Sequence, residues 1–370
     1  MELTLPTSLL PRDGRFGSGP SKVRDAQVSA LAAPTAPLGT SHRKPAVKNI
    51  VAAIQEDLSQ LYRLPEGYEV LLGNGGASLL WDAIAFCVAD KHTQTAVFGE
   101  FSGKAAKAMA KVPWIESADV IEAPVGEVAA CVNADGVDTY LYPHNETSTG
   151  AFSQVKRFGD ASALTLVDAT SCAGGVDVDV SQTDMYYFSP QKCFGADGGL
   201  WFALVSPAAI ERIERLAADR WIPDILSLPL ALKNSRKNQT LNTPSIANLV
   251  MMAEQTRWML DEGGLEAMEA RTRASSGAIY EWAAQRDFAS PFVEREEWRS
   301  PVVATIDFDE SVDTSKISAF LRENGILDID PYRSLGRNQL RIGVFPAVET
   351  SDVEALLACI DWAIENGVGA

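Results

Sequence analysis

The chain is short of membrane-crossing material: nowhere in its 370 residues do about 18 uncharged apolar residues run together. Its N-terminal stretch, MELTLPTSLLPRDGRFGSG, lacks the basic segment followed by an apolar core that marks a secretory signal. A soluble cytoplasmic protein is therefore expected. Cysteine is sparse and unpatterned. Cys87, Cys131, Cys172, Cys193 and Cys359 are odd in number and widely scattered, with no CxxC or Cys/His grouping. A disulfide framework and a zinc site are both disfavoured, and no metal is expected. Positive charge is in deficit, 32 Lys and Arg against 49 Asp and Glu, giving −17. Such a chain repels nucleic acid and anionic membrane surfaces. Internal repeats, heptads and low-complexity tracts are also missing, so the organisation has to be read from apolar runs and helical periods.

What the chain does have is 46% hydrophobic residues, enough for a large core over two or three domains. The run YEVLL (Tyr68 to Leu72) reads as a strand, GNGGAS as a turn and LLWDAIAFCVA (Leu79 to Ala89) as an amphipathic helix. The pattern recurs with QTAVF before SGKAAKAMAKV, then ADVIEA, DTYLYP and LTLVD (Leu164 to Asp168). Short apolar strands alternating with helices predict an α/β fold, a buried, mostly parallel sheet covered on both faces. DMYYFS and GGLWFALVS follow as two more strands, and the turn PQKCFGAD between them carries Lys192. Ser206–Pro207 opens one helix, and Thr243–Pro244 opens the long helix SIANLVMMAEQTRWML, which stops at Gly263–Gly264. After it, VVATIDFD, SKISAFLREN, LRIGVF and DVEALLACIDWAIEN predict a smaller C-terminal α/β layer. The expected division is an N-terminal arm over 1–15, a large domain over 16–260 and a small domain over 261–370.

In an open α/β sheet, ligands bind beyond the carboxyl ends of the strands. Asp168 closes the apolar strand LTLV at such an end, and Lys192 lies 24 residues later (192 − 168) on a loop between buried strands. Taken singly, the first reads as a capping carboxylate and the second as a surface lysine. Taken together they suit a pyridine cofactor. An amine of lowered pKa forms an imine with its aldehyde, and a carboxylate keeps the ring nitrogen protonated as an electron sink. Gly73 to Ser78, after a strand and before a helix, offers backbone donors and a helix N-terminus for a phosphate, without the full GxGxxG spacing of a dinucleotide site. Phe101, just past QTAVF, can stack on a flat ring.

The motifs SHRKP (Ser41 to Pro45), HNETSTG (His144 to Gly150), VDATS (Val167 to Ser171), SPQKCFG (Ser189 to Gly195) and LNTPS (Leu241 to Ser245) resemble those of the phosphoserine aminotransferase family. They come in the family's order, and the resemblance runs from FGSGPS at Phe16 to RIGVFPAVE at Arg341. It implies the fold of pyridoxal 5′-phosphate-dependent transferases, with that cofactor bound. Lys192 is then the Schiff-base lysine and Asp168 the partner of the pyridinium nitrogen. Thr147 bonds the phenolic oxygen, and Phe101 takes the ring-stacking position. Ala77, Ser78 and Gln191 meet the phosphate, while Asn242 and Thr243 reach the phosphate of a neighbouring subunit's cofactor, so a homodimer is implied.

The implied substrates are L-glutamate, 3-phosphohydroxypyruvate and O-phospho-L-serine, in serine biosynthesis; whether the phosphorylated hydroxy-threonine step of pyridoxine synthesis is also served stays open. Their two anionic ends call for arginine forks. The resemblance gives the distal anion to His42, Arg43 and Arg333, and the α-carboxylate to Arg341, with Arg337 as rival. Phe101 stands where tryptophan is common in the family, and Tyr332 where many members have histidine. Rival readings are a related transaminase such as an alanine–glyoxylate type, a cysteine desulfurase, a non-catalytic phospholigand binder and a nicotinamide dehydrogenase. The desulfurase lacks a placed nucleophile, because Cys359 falls in a helical pattern and Cys193 has no evident activating base.

Overall fold

The computed structural model describes residues 3–370. In chain order, α1 (Asp25–Ala32) and α2 (Pro45–Leu61) precede β1 (Glu69–Asn74), α3 (Ala77–Cys87), β2 (His92–Val97), α4 (Glu100–Met109), β3 (Ser117–Glu122) and β4 (Thr139–Pro143). A small hairpin, β5 (Asn145–Glu146) and β6 (Ala151–Phe152), leads to β7 (Leu164–Asp168), β8 (Met185–Phe188) and β9 (Leu200–Val205). Then come α5 (Pro207–Asp219), α6 (Leu228–Ser235), α7 (Ile246–Asp261) and α8 (Gly264–Ala284). The C-terminal part adds β10 (Ala289–Pro291), β11 (Val303–Phe308), α9 (Thr314–Glu323), β12 (Gln339–Gly343) and α10 (Thr350–Glu365).

Seven strands form one sheet in the order β1-β9-β8-β7-β4-β2-β3. Side chains alternate faces along each strand. Leu71, Leu141, Leu166 and Tyr187 enter one core, and Leu72, Tyr140, Val167 and Tyr186 enter the other. Both faces are buried, so the strands read as continuous apolar runs. The sheet is mostly parallel as expected, with β9 antiparallel to both of its neighbours. The reason is local. The segment 189–199 between β8 and β9 contains no helix, and a short link without a crossover joins neighbouring strands antiparallel.

The C-terminal layer is a three-stranded antiparallel sheet, β10-β11-β12, with its own core. Leu5 and Phe16 from the N-terminal segment belong to that core. The Phe16 carbonyl accepts from the Gly343 amide at 2.7 Å, so the start of the chain is tied to β12. Met1 and Glu2 of the expected arm lie outside the described residues.

Two sequence expectations need correction. The long helix α7 is capped by Ser245, whose Oγ accepts from the Asn248 amide, and not opened at Thr243–Pro244. The Thr243 carbonyl instead accepts from Asn74 Nδ2 at 3.1 Å, which holds this stretch as a loop beside the turn after β1. The 21-residue α8 has no counterpart among the predicted elements. Among the described residues no helix is long and apolar enough to cross a membrane, and no three His, Cys, Asp or Glu side chains gather as a metal site.

Candidate active site

Where the parallel strands end, their loops enclose a cavity of about 360 Å³. Ala77 and Ser78 enter it from the turn after β1, Phe101 from the start of α4, and Thr147 from the β5–β6 hairpin. Asp168 is the last residue of β7, and Gln191 and Lys192 follow β8. All seven residues expected around a cofactor on this side of the chain thus line one space.

Lys192 is only 8% exposed. Its Nζ donates to the Ser18 carbonyl, and a side chain on the neighbouring Gly19 would overlap the Lys192 ammonium, so glycine at position 19 leaves the amine its room. Burial lowers the amine's pKa from 10.5 to about 7, and the nearby positive charge of Arg341 lowers it further within that change. A lysine so placed is neutral in a large fraction at neutral pH and can act as a nucleophile and base.

Asp168 is held from two sides. Its Oδ2 accepts from the indole N–H of Trp81 at 2.8 Å, and its Oδ1 accepts from the Thr170 amide at 3.0 Å and the Thr170 hydroxyl at 2.6 Å. Burial raises its pKa, while these hydrogen bonds oppose the rise. A cationic partner placed in the cavity would remove that penalty.

The helix α3 begins at Gly76, which has extended backbone and no side chain to bond the first amides. The Ala77 amide donates to Ser189 Oγ at 2.7 Å, linking this turn to the Lys192 loop. A helix N-terminus without a capping side chain is a site for an anion. Glu146 is fully buried and fixes Phe101 relative to Thr147. Its carboxylate accepts from the Ser102 amide at 2.9 Å and from the hydroxyls of Ser102 and Ser148 at 2.8 and 2.7 Å. It sits at the N-terminus of α4, where a negative charge is favoured.

Above the cavity, Arg341 on β12 donates from Nη1 to the Thr147 carbonyl at 3.1 Å, and its buried Nε has no partner. Its guanidinium carbon lies 5.1 Å from the centre of the Tyr332 ring, which meets Phe101 edge-on at 5.8 Å. The rival Arg337 is engaged elsewhere: its Nε reaches both Asp307 oxygens at 3.1 Å, and its charge lies over the Phe292 ring. Arg333, beside Tyr332, is exposed.

His42, Arg43, Asn242 and Thr243 do not line the cavity of this chain. Arg43 donates to Gln239 at 2.6 Å and to the Leu241 carbonyl at 3.2 Å. Asn242 and Thr243 are exposed and bound through their backbone to Asn74. His42 keeps a buried Nε2 without a partner, and burial, then the charge of Arg43, lowers its pKa. These residues form a patch outside the cavity. The sequence reading missed Trp81, Thr170, Glu146, Ser189 and the Ser18 carbonyl. Trp81 carried a usable signal, since it lies four residues after Ala77 and thus on the same helix face.

Both cysteines considered as nucleophiles are buried. The Cys193 thiol donates to the Ser171 carbonyl and burial pushes its pKa up, while Cys359 is enclosed in α10. Neither has the exposed, electropositive setting of a reactive thiolate.

A buried amine of lowered pKa on the same cavity as a strand-end carboxylate suits a class of enzymes that work through an aldehyde cofactor. Residues 31–328 match the family described as aminotransferase class-V. The chain is 53% identical to the phosphoserine aminotransferase of Corynebacterium glutamicum (strain R), over 98% of each chain. A phosphoserine aminotransferase from Cytophaga hutchinsonii superposes with a TM-score of 0.86 at 25% identity, covering 95% of this chain and 99% of that one. A pyridoxal-phosphate-bound phosphoserine aminotransferase from Trichomonas vaginalis gives 0.83 at 22% identity over 95% and 100%, a likeness of fold. The chain belongs to the class-V aminotransferases and, within them, to the phosphoserine aminotransferase family. It is a pyridoxal 5′-phosphate enzyme, and the residues present fit that cofactor. The α3 N-terminus without a capping side chain, Lys192 and Asp168 supply anion, aldehyde and cation partners.

Proposed function

We propose that this chain transfers the amino group of L-glutamate to 3-phosphohydroxypyruvate, giving 2-oxoglutarate and O-phospho-L-serine. The carrying observation is the pair Lys192 and Asp168 on one cavity, with Arg341 bound to the cavity-lining Thr147 and its charge felt at Lys192. When bound, pyridoxal 5′-phosphate supplies an aldehyde carbon for the amino group and a ring that draws the electron pair left at the substrate's Cα. Ala77, Ser78 and Gln191 hold its phosphate, Thr147 its phenolic oxygen, Phe101 its ring face and Asp168 a proton on its ring nitrogen.

Lys192 does two jobs. With the cofactor bound, its Nζ would hold the aldehyde carbon until the substrate's amine takes that place. The freed Nζ would then move the proton from the substrate's Cα to that carbon. The pKa of about 7 suits both directions of that transfer. Arg341 receives the α-carboxylate, since its Nε is uncommitted and its planar fork matches a carboxylate. Arg337, occupied by Asp307, is set aside.

The distal anion goes to His42, Arg43 and Arg333. Because the Arg43 patch lies outside this chain's cavity, the reading includes a homodimer in which His42, Arg43, Asn242 and Thr243 complete the other subunit's site. Tyr332, neutral where a histidine would carry charge, leaves the arginines to hold the phosphate. A cytoplasmic setting, the division at 260/261 and formation of a phosphorylated hydroxy-threonine from its 2-oxo acid belong to the same proposal. The test is a half-reaction panel on cofactor-loaded protein: L-glutamate, O-phospho-L-serine, alanine and cysteine, each followed by the cofactor's visible absorbance. Bleaching by the first two alone supports the substrate class, and bleaching by alanine or cysteine in their place overturns it.

A further inference from the structure

The 2.8 Å hydrogen bond from Trp81 to Asp168 has no place in the reading above, in which Asp168 acts alone on the ring nitrogen. Trp81 is 7% exposed and packs in the core beneath the sheet, so burial alone could explain a tryptophan there. Burial does not explain the direction of its indole. Tryptophan has a single donor, and this one is spent on a cavity-lining carboxylate. The contact leaves Oδ1 to Thr170 and pins Oδ2 to a different element, so the carboxylate plane is fixed by two anchors, on α3 and on the loop after β7.

The position of Trp81 in its helix matters as much as the bond. Ala77, Ser78 and Trp81 stand at i, i+1 and i+4 of α3, and all three line the cavity. Residues four apart lie one above the other on a helix face, about one 5.4 Å turn apart. In the proposed reading the first turn of α3 would hold the phosphate, while the second turn carries Trp81, which bonds Asp168.

We propose that Trp81 is a positioning residue for Asp168, tying its carboxylate to the same helix that receives the cofactor's phosphate, so that α3 sets the spacing between the two anchor points of the cofactor. The inference rests on the assignment of Asp168 to the ring nitrogen. It does not make Trp81 a stacking or proton-transferring group.

The experiment is a double-mutant cycle on the full-length holoenzyme with Trp81→Phe, Asp168→Asn and both together. The readouts are the cofactor dissociation constant from equilibrium dialysis, the pH profile of the visible absorbance, and the melting temperature of each protein. Trp81→Phe removes the N–H donor together with part of the ring, so some loss of packing is expected as well. It should weaken cofactor retention about tenfold, as expected for a hydrogen bond to a charged group, move the absorbance pH profile, and lower melting by the same amount in both backgrounds. In the Asp168→Asn background the same change should have little further effect on retention. Unchanged retention in Trp81→Phe, or an equal loss of retention in both backgrounds, overturns the inference. Wild-type retention and spectrum in Asp168→Asn alone would refute the underlying assignment of Asp168 as well, which separates the two failures. Should phenylalanine at this position prevent folding, the cycle is run with Trp81→Met, whose flexible side chain fills the space without a donor, and the same outcomes decide.

Discussion

Removing the positive charge of Arg341 should make Lys192 a poorer nucleophile at neutral pH. An ordinary lysine amine, with pKa 10.5, is neutral at pH 7 in about one molecule in three thousand, whereas a pKa of about 7 leaves about half of the Lys192 amines neutral. Burial is the larger cause of this depression and Arg341 the second. In Arg341→Gln the midpoint should therefore rise while staying below 10.5. A rise of one pH unit would leave about one amine in ten neutral at pH 7 and slow cofactor capture about fivefold. The assay mixes cofactor-depleted protein with pyridoxal 5′-phosphate in a stopped-flow spectrometer between pH 5.5 and 9.5 (roughly the span on either side of the expected midpoint), following visible absorbance. The wild-type rate should climb with pH and level off above about 7, and the variant's curve should be displaced to higher pH. A wild-type midpoint near 10, or a variant curve displaced to lower pH, would show that Lys192 is not held neutral in this way. The same depression fixes the sign of a stability effect. Between about 7 and 10.5 the unfolded chain binds the proton that the folded chain does not, so the depleted protein gains stability as pH rises through that window.

Lys192→Ala should abolish turnover and the cofactor's covalent absorbance while the protein still melts cooperatively, and normal activity would dispose of its proposed role. Gly19→Ala should slow cofactor capture, because the added carbon overlaps the end of the Lys192 side chain and Gly19 holds a φ of +128°, and unchanged binding spectra would count against this. Mixing inactive Lys192→Ala with impaired Arg43→Ala protein should restore activity toward phosphorylated substrate, since a mixed dimer carries one intact site. No recovery after subunit exchange would argue that Arg43 serves its own chain. Ser245→Ala should cost about 1 kcal/mol through the lost α7 cap, read from urea unfolding, whereas Thr243→Ala should cost little as a cap.

The large domain was legible because its strands are buried on both faces and therefore stand out as unbroken apolar runs bounded by turns. The helix α8 was not, and its buried face shows why. Leu265, Met268, Thr272, Ser275, Ser276, Ile279 and Trp282 are spaced as a helix stripe should be, but three small hydroxyl residues interrupt its apolar signal. Two of them tolerate burial through partners remote in sequence: Thr272 donates to the Gly175 carbonyl at 2.8 Å, and Ser275 meets Thr350 at 2.9 Å. A hydropathy period cannot register a hydrogen bond to another element.

The site divides along a similar line. Asp168 and Lys192 could be picked out because each stands where its chemistry is misplaced for packing, a carboxylate ending an apolar strand and a lysine between two buried ones. Glu146 and Trp81 sit where their types look ordinary, and only the fold reveals that Glu146 satisfies amides of a helix 45 residues away in sequence (146 − 101) and that Trp81 points its single donor at a catalytic-side carboxylate. The residues proposed for the distal anion add a third case. The resemblance points to His42 and Arg43, yet in one chain they lie outside the cavity. Residues that do chemistry announce themselves by being costly where they stand. Residues that hold them in place are ordinary until the geometry around them is known.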